Sequence, residues 1–235
     1  MVVADTVVAA VASEAVAARV AMVAGATGLV GRAVLAALLA DKNYSAVHVV
    51  GRRKLPLTHP KLIQHFVDFA ALPELPRTDD VFICLGTTIK VAGSRAAFRA
   101  VDYDAVLALG LATYRKGATR LGVVSAMGAD ATSKVFYSRV KGEMEHALVK
   151  VGFKSVTFVR PSLLAGDRET LNQTSRPGER IGLLVTQVFN PFIPANYRSV
   201  RAEDVAYALL KSVKSGTPGV QTLLSGALQG AAGTA

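Results

Sequence analysis

Apolar and polar positions along the chain follow two rhythms that take turns. Short runs dominated by Val, Ile and Leu occur at 20–24, 46–50, 63–67, 81–85, 120–124 and 155–159. Between them, at 31–40, 96–116 and 138–151, apolar residues recur every three or four positions, the spacing of one helical face. Gly152 directly after Val151 supplies a helix stop. The strand runs are apolar on both faces, and helical stretches separate many of them. That pattern predicts βαβ units and a doubly wound parallel sheet covered on both sides.

The character changes after Pro161. Residues 167–194 are richer in Pro, Gly and polar side chains, with short apolar runs cut by turn signals. In a doubly wound fold such a segment lies over the carboxyl ends of the strands, where ligands bind. A helical pattern resumes at 203–213, with Asp204 read as a capping or first-turn residue. Residues 215–235, ending Gly-Ala-Ala-Gly-Thr-Ala, are expected to form a flexible tail. At the other end, 1–18 reads as an extension. Asp5 and Glu14 interrupt its apolar character and no basic segment precedes it, so it fails as an export signal. One domain over 19–214 is expected, with 161–200 as its substrate-side segment.

Composition narrows the function classes. Of 235 residues 51% are hydrophobic, enough for a full core and against disorder. Cys84 is the only cysteine, which excludes an internal disulfide and fits a reducing compartment; a cytoplasmic protein is expected. The four histidines lack ligand spacing, so no metal site is expected. No apolar run reaches the roughly 18 residues a membrane span needs. The net charge of +10 raises the question of nucleic acid. The basic residues are dispersed, however, and without an aromatic platform or any Trp no nucleic-acid partner is expected.

The first motif with chemistry is Gly25-Ala26-Thr27-Gly28-Leu29-Val30-Gly31, between a predicted strand and a predicted helix. Gly25 allows a tight turn, Gly28 lets backbone approach a pyrophosphate, and Gly31 lets helix and strand pack closely. The helix start then offers free N–H groups to phosphate. This makes the predicted sheet a Rossmann-type, nucleotide-binding one. Dinucleotide sites that take NAD usually place an acid after the second strand; this chain has Gly51-Arg52-Arg53-Lys54 there. A carboxylate repels a 2′-phosphate, whereas a guanidinium grips it in bidentate fashion, so Arg52 and Arg53 predict NADP(H). Asp68 after the third strand is a candidate acceptor for the adenine amino group. Leu85, Gly86 and Thr87 after the fourth strand are candidates to run beside the cofactor.

The second constellation is Ser125 at the end of the fifth strand, followed by Tyr137 and Lys141. Four residues apart on a helix, Tyr137 and Lys141 share one face. An ammonium beside a phenol favours its ionised form, which suits a general acid and base, and the same lysine can bind the nicotinamide ribose. Ser125 is placed to hydrogen-bond a substrate oxygen.

In their order these motifs resemble the atypical short-chain dehydrogenases/reductases, and among them the Tat-interacting-protein-like oxidoreductases. The strings Cys84-Leu85-Gly86-Thr87-Thr88, Gly128-Ala129-Asp130, Val140-Lys141-Gly142-Glu143 and Ser175-Arg176-Pro177-Gly178-Glu179 carry the likeness beyond the glycine loop. The resemblance runs from about Val20 to Val213. It implies a Rossmann fold, NADPH binding, a Ser125–Tyr137–Lys141 site, and Arg160 on the nicotinamide side. Two positions depart from it: many relatives have Asn where this chain has Asp102, and a second Ser or Thr where it has Ala126. The leading expectation is an NADP(H)-dependent oxidoreductase acting on a small-molecule carbonyl or alcohol. The alternative is a non-catalytic NADP(H)-binding regulator or assembly protein. A homodimer or a protein partner is compatible with either.

Overall fold

The structure is a computed structural model that describes residues 18–165 and 194–234. Strands β1 (Arg19–Ala24), β2 (Tyr44–Gly51), β3 (Leu62–Phe66), β4 (Asp80–Ile83), β5 (Arg120–Val124) and β6 (Ser155–Arg160) fall where the apolar runs place them. Helices α1 (Leu29–Ala40) and α5 (Phe136–Val149) fill two of the intervals. The third predicted helix is divided. It comprises α3 (Arg95–Arg99), a π-helical turn (Ala100–Asp104) and α4 (Ala105–Arg115), with a short α2 (Ile89–Ala92) before it. The C-terminal helix α6 spans Ala202–Ser215.

All strands of the main sheet run parallel, in the order β3-β2-β1-β4-β5-β6-β9, where β9 is Gly219–Leu224. Chain order reverses between β1 and β4, and the loops after these two strands diverge to leave a crevice at the carboxyl edge. The core has two layers. Val34, Leu38, Leu209 and Val213 of α1 and α6 pack on one face of the sheet, and Val106, Leu109, Met144 and Leu148 of α4 and α5 pack on the other. Both faces are thus covered, which is why the strands read as continuous apolar runs rather than alternating ones.

The C-terminal expectation is corrected. Gly219–Leu224 is not part of a flexible tail but β9, the seventh strand, in register with β6 from Ser155↔Gly219 to Arg160↔Leu224. Ser212 of α6 holds it, donating from Oγ to Gln221 Oε1 at 2.8 Å. Beyond it α7 (Ser225–Leu228) packs Leu228 into the core, and Asp204 Oδ1 accepts the N–H of Ala232 at 2.9 Å. Asp204 lies in the first turn of α6 as expected, yet its carboxylate also ties down the chain end. β9 escaped the sequence pattern because an edge strand needs little apolar surface: it has a neighbour on one side only, and Gln221 and Thr222 interrupt it. Of the expected extension at 1–18 and the expected substrate-side segment at 161–200, residues 1–17 and 166–193 lie outside the described residues. Two short strands flank the latter and pair with each other, β7 (Leu164–Ala165) and β8 (Val200–Arg201).

On β2 and β3, His48 Nδ1 and His65 Nε2 lie 2.8 Å apart. Burial lowers the pKa of both rings, and for His48 the charge of His65 adds to the effect. The folded protein therefore favours the neutral pair, while the unfolded chain takes up protons near 6.5. Stability from this pair is complete above that pH and is lost as pH falls through the depressed folded values. Urea unfolding at pH 7.5 and 5.5 should show a larger loss for the wild type than for His65→Gln; equal losses would contradict it.

Candidate functional site

The glycine loop joins β1 to α1 at the crevice. Gly25 has φ +83°, and a Cβ there would lie 2.3 Å from the Cys84 carbonyl oxygen; the loop is pressed against the end of β4, and only glycine fits. A Cβ on Gly31 would sit 2.1 Å from the Gly25 carbonyl oxygen, so the first turn of α1 packs on the loop itself. Gly28 is the N-cap, and the first intrahelical bond runs from Arg32 N–H to the Gly28 carbonyl at 2.9 Å. The N–H groups of Leu29, Val30 and Gly31 precede that bond and face the helix N-terminus. The Val30 side chain is buried in the core and Leu29 packs against it, so both can serve a phosphate only through the backbone.

Arg52 and Arg53 are exposed at the end of β2, and the Arg53 guanidinium reaches Thr27 Oγ1 at 3.4 Å, across the mouth of the glycine loop. Gly25, Thr27, Arg52, Arg53, Phe69 and Leu85 line one cleft with the floor strand β2. Sequence reasoning missed Phe69 as a wall of this cleft; its place directly after Asp68 was the only signal. Asp68 itself closes a turn, its Oδ1 accepting the Ala70 N–H at 2.9 Å. Burial pushes the Cys84 thiol, beside the loop, up to about 12, which favours its protonated form at neutral pH.

The second group lies at the carboxyl ends of β4 and β5. Ser125 follows β5 directly and is 5% exposed; its Oγ is buried and meets no hydrogen-bond partner among the described residues. Ala126 beside it is also buried. Tyr137 opens α5 and packs on Phe98, with ring centroids 5.3 Å apart. One turn on, Lys141 is buried, with Nζ 2.8 Å from Oδ1 of the fully buried Asp102. The other oxygen, Oδ2, accepts the Thr87 N–H at 2.9 Å. Gly86 lies over this pair: a Cβ there would approach Asp102 Oδ1 to 3.6 Å and Lys141 Nζ to 3.9 Å.

What seats α5 is a backbone contact. A Cβ on Gly142 would meet the Ala131 nitrogen at 2.1 Å, so the Lys-Gly-Glu string packs directly on the loop that follows Gly128-Ala129-Asp130. Glu143 accepts from Arg99 of α3 at 2.5 Å. Arg160, expected on the nicotinamide side, is gripped by buried Glu145, with Nε and Nη2 donating to the two carboxylate oxygens at 3.1 and 2.6 Å. It fastens β6 to α5.

No protein-family model matches the chain. Among known proteins, HTATIP2 of Rattus norvegicus is 36% identical over 162 residues, which is 66% of this chain and 65% of the rat protein. FMP52, mitochondrial, of Saccharomyces cerevisiae is 30% identical over 174 residues, 72% of this chain and 75% of the yeast protein. The chain belongs to this group of atypical short-chain dehydrogenases/reductases. The fold agrees: a short-chain dehydrogenase family protein from Francisella tularensis subsp. tularensis SCHU S4 superposes with a TM-score of 0.66 at 13% identity. That superposition covers 90% of this chain and 99% of the other. The chain thus has the nucleotide-binding, oxidoreductase-type fold of the group.

Membership corrects one expectation. The fungal relatives carry names that place them in mitochondria, which points away from the cytoplasm. A lone cysteine speaks only of a reducing environment, and that property does not separate the two compartments. Among the described residues no helix is long and apolar enough to cross a membrane.

Proposed function

We propose that the chain is an NADP(H)-dependent oxidoreductase acting on a carbonyl or alcohol. The observation that carries this reading is the cleft in which the glycine loop, Arg52 and Arg53 meet. It combines N–H donors for a pyrophosphate with two exposed guanidinium groups at the end of β2, the position that selects between ribose hydroxyl and 2′-phosphate. The buried Ser125 hydroxyl, unpartnered among the described residues, supports an enzyme over a binding protein. Leaving a hydroxyl desolvated is costly, and a substrate oxygen would satisfy it.

In this reading the backbone of 28–31 and the Arg52 and Arg53 side chains would hold the phosphates, and Lys141 would hydrogen-bond the nicotinamide ribose. NADP(H), when bound, supplies or accepts the hydride. Ser125 donates a hydrogen bond to the reacting oxygen and fixes it near Tyr137. In reduction Tyr137 delivers its phenolic proton to that oxygen and is reprotonated from solvent; in oxidation it takes the proton back. The Phe98 ring packs on the tyrosine and restricts the positions from which the proton is presented.

Cofactor preference tests the reading. NADPH should bind more tightly than NADH, and Arg52→Ala/Arg53→Ala should remove the difference. A charge-assisted bidentate contact contributes on the order of 1.5–3 kcal/mol, a tenfold to hundredfold loss in affinity for NADPH, with little change for NADH. Calorimetric titration of both cofactors decides it. Equal affinities in the wild type would sink the 2′-phosphate clamp.

A further inference from the structure

The ion pair beneath Gly86 brings three separate parts of the fold onto one carboxylate. Asp102 sits in the middle of the π-helical turn Ala100–Asp104, where an extra residue widens the helix between α3 and α4; such turns gather at functional sites. Its Oδ1 takes the ammonium of Lys141 from α5, and its Oδ2 takes the Thr87 N–H from the loop after β4. Neither Asp102 nor Lys141 is more than 3% exposed.

We propose that Asp102 is a positioning residue for the nicotinamide half of the cofactor site, locking the Lys141 ammonium and the 86–88 loop together in the arrangement that receives the dinucleotide. The inference rests on the NADP(H) reading above. A lysine head at the end of a four-carbon stem has many rotamers, and a cofactor that must order it binds more weakly for that reason. Here the ordering is done before any ligand arrives. The loop is fixed by the same group, so Lys141 and the backbone of Thr87 keep one spacing.

The residue type follows from the donors. An ammonium forms an ion pair with one oxygen of this side chain, and an amide N–H donates a hydrogen bond to the other. A carboxylate accepts on both; a carboxamide offers one oxygen and turns an NH2 group toward the other donor. Asparagine at 102 would therefore release either Lys141 or the loop. A buried ion pair that merely supports the fold behaves differently, since its loss lowers stability without distinguishing one part of a ligand from another.

The test uses the full chain and two probes, NADPH and adenosine 2′,5′-bisphosphate, which carries the 2′-phosphate but no nicotinamide. Asp102→Asn is expected to weaken NADPH roughly tenfold, the loss of about one charge-assisted hydrogen bond, while adenosine 2′,5′-bisphosphate stays within about twofold of wild type. Asp102→Glu keeps the buried charge but moves the carboxylate by one methylene, which covers the case in which Asp102→Asn does not fold; the same selective loss is expected of it. Equal weakening of both probes, with a lowered melting temperature, would make Asp102 a fold-supporting residue only. Wild-type affinity for NADPH in Asp102→Asn would equally overturn the assignment. Failure of the wild type to bind NADPH at all would overturn the cofactor reading and this inference with it. A wild type that binds beside a variant that binds equally well defeats the positioning role alone.

Discussion

Tyr137→Phe is expected to abolish most carbonyl turnover while NADPH affinity is retained. The Phe ring keeps the packing against Phe98, so α5 and Lys141 stay in place, but the hydroxyl proton is gone. Positioned acid–base catalysis contributes about 10²–10⁴-fold, and a loss of that size should appear in kcat. Ser125→Ala should also depress turnover, by removing the hydrogen bond that orients the reacting oxygen, without touching the Arg52 and Arg53 end of the cleft. The measurement is a panel of aldehydes, ketones and quinones followed by NADPH absorbance, wild type beside variant. A Tyr137→Phe protein that matches the wild type on a turned-over substrate would defeat the assigned mechanism. Tight NADPH binding by a wild type that turns over nothing in the panel would make the chain a dinucleotide-binding regulator instead.

The largest effect on stability is expected at the opposite end of the sheet. Asp80 is fully buried at the start of β4. Its carboxylate accepts the Tyr44 hydroxyl at 2.5 Å, pairs with Arg19, and lies 3.6 Å from Arg120. These are the first residues of β2, β1, β4 and β5, so one carboxylate joins four adjacent central strands at their amino ends. Burial pushes the Asp80 carboxyl above its ordinary range despite the pull of Tyr44 and Arg19. The network is therefore not a large net source of stability. Its removal is what costs, because Asp80→Ala leaves a buried phenol and the Arg19 guanidinium without their acceptor. Breaking such a pair costs about 3–5 kcal/mol; solvent around Arg120 favours the lower figure, about 3 kcal/mol. For a chain of this size that lowers Tm by roughly 6–12 °C. Thermal unfolding checks it, and a shift below about 3 °C would contradict the argument. NADPH affinity measured well below Tm should not change, since the cofactor cleft lies at the carboxyl edge.

The two variants divide the molecule along the strand direction: the proposed chemistry at the carboxyl ends, cohesion at the amino ends. Which of these halves is legible in the sequence differs for a physical reason. The strand–glycine loop–helix unit, Arg52 and Arg53 after β2, and the Tyr137–Lys141 spacing are all local. Each depends on residues within a turn or two of one another, where helical or strand period fixes relative position. Their residue types and order were therefore enough to name the fold and the family.

Other features depend on residues far apart in the chain. Asp80 draws in Arg19, Tyr44 and Arg120, Asp102 meets Lys141, and Arg160 turns to Glu145. Asp102 reads in the sequence only as a departure from Asn, and Arg160 as a cofactor-side residue; their partners become visible once α5 is seated on the loop at 130–131. The seventh strand belongs to the same class. Gly219–Leu224 has too few apolar residues to declare itself, and it is a strand because β6 offers an open edge and α6 holds Gln221. The sequence by itself determined the alternating elements, the dinucleotide loop and the candidate Ser125, Tyr137 and Lys141, because periodicity and spacing are properties of neighbours. Only the tertiary structure decided which buried charges pair, where Arg160 points and how the C-terminal end is anchored, because desolvation and ion pairing depend on what the fold brings together across the sheet.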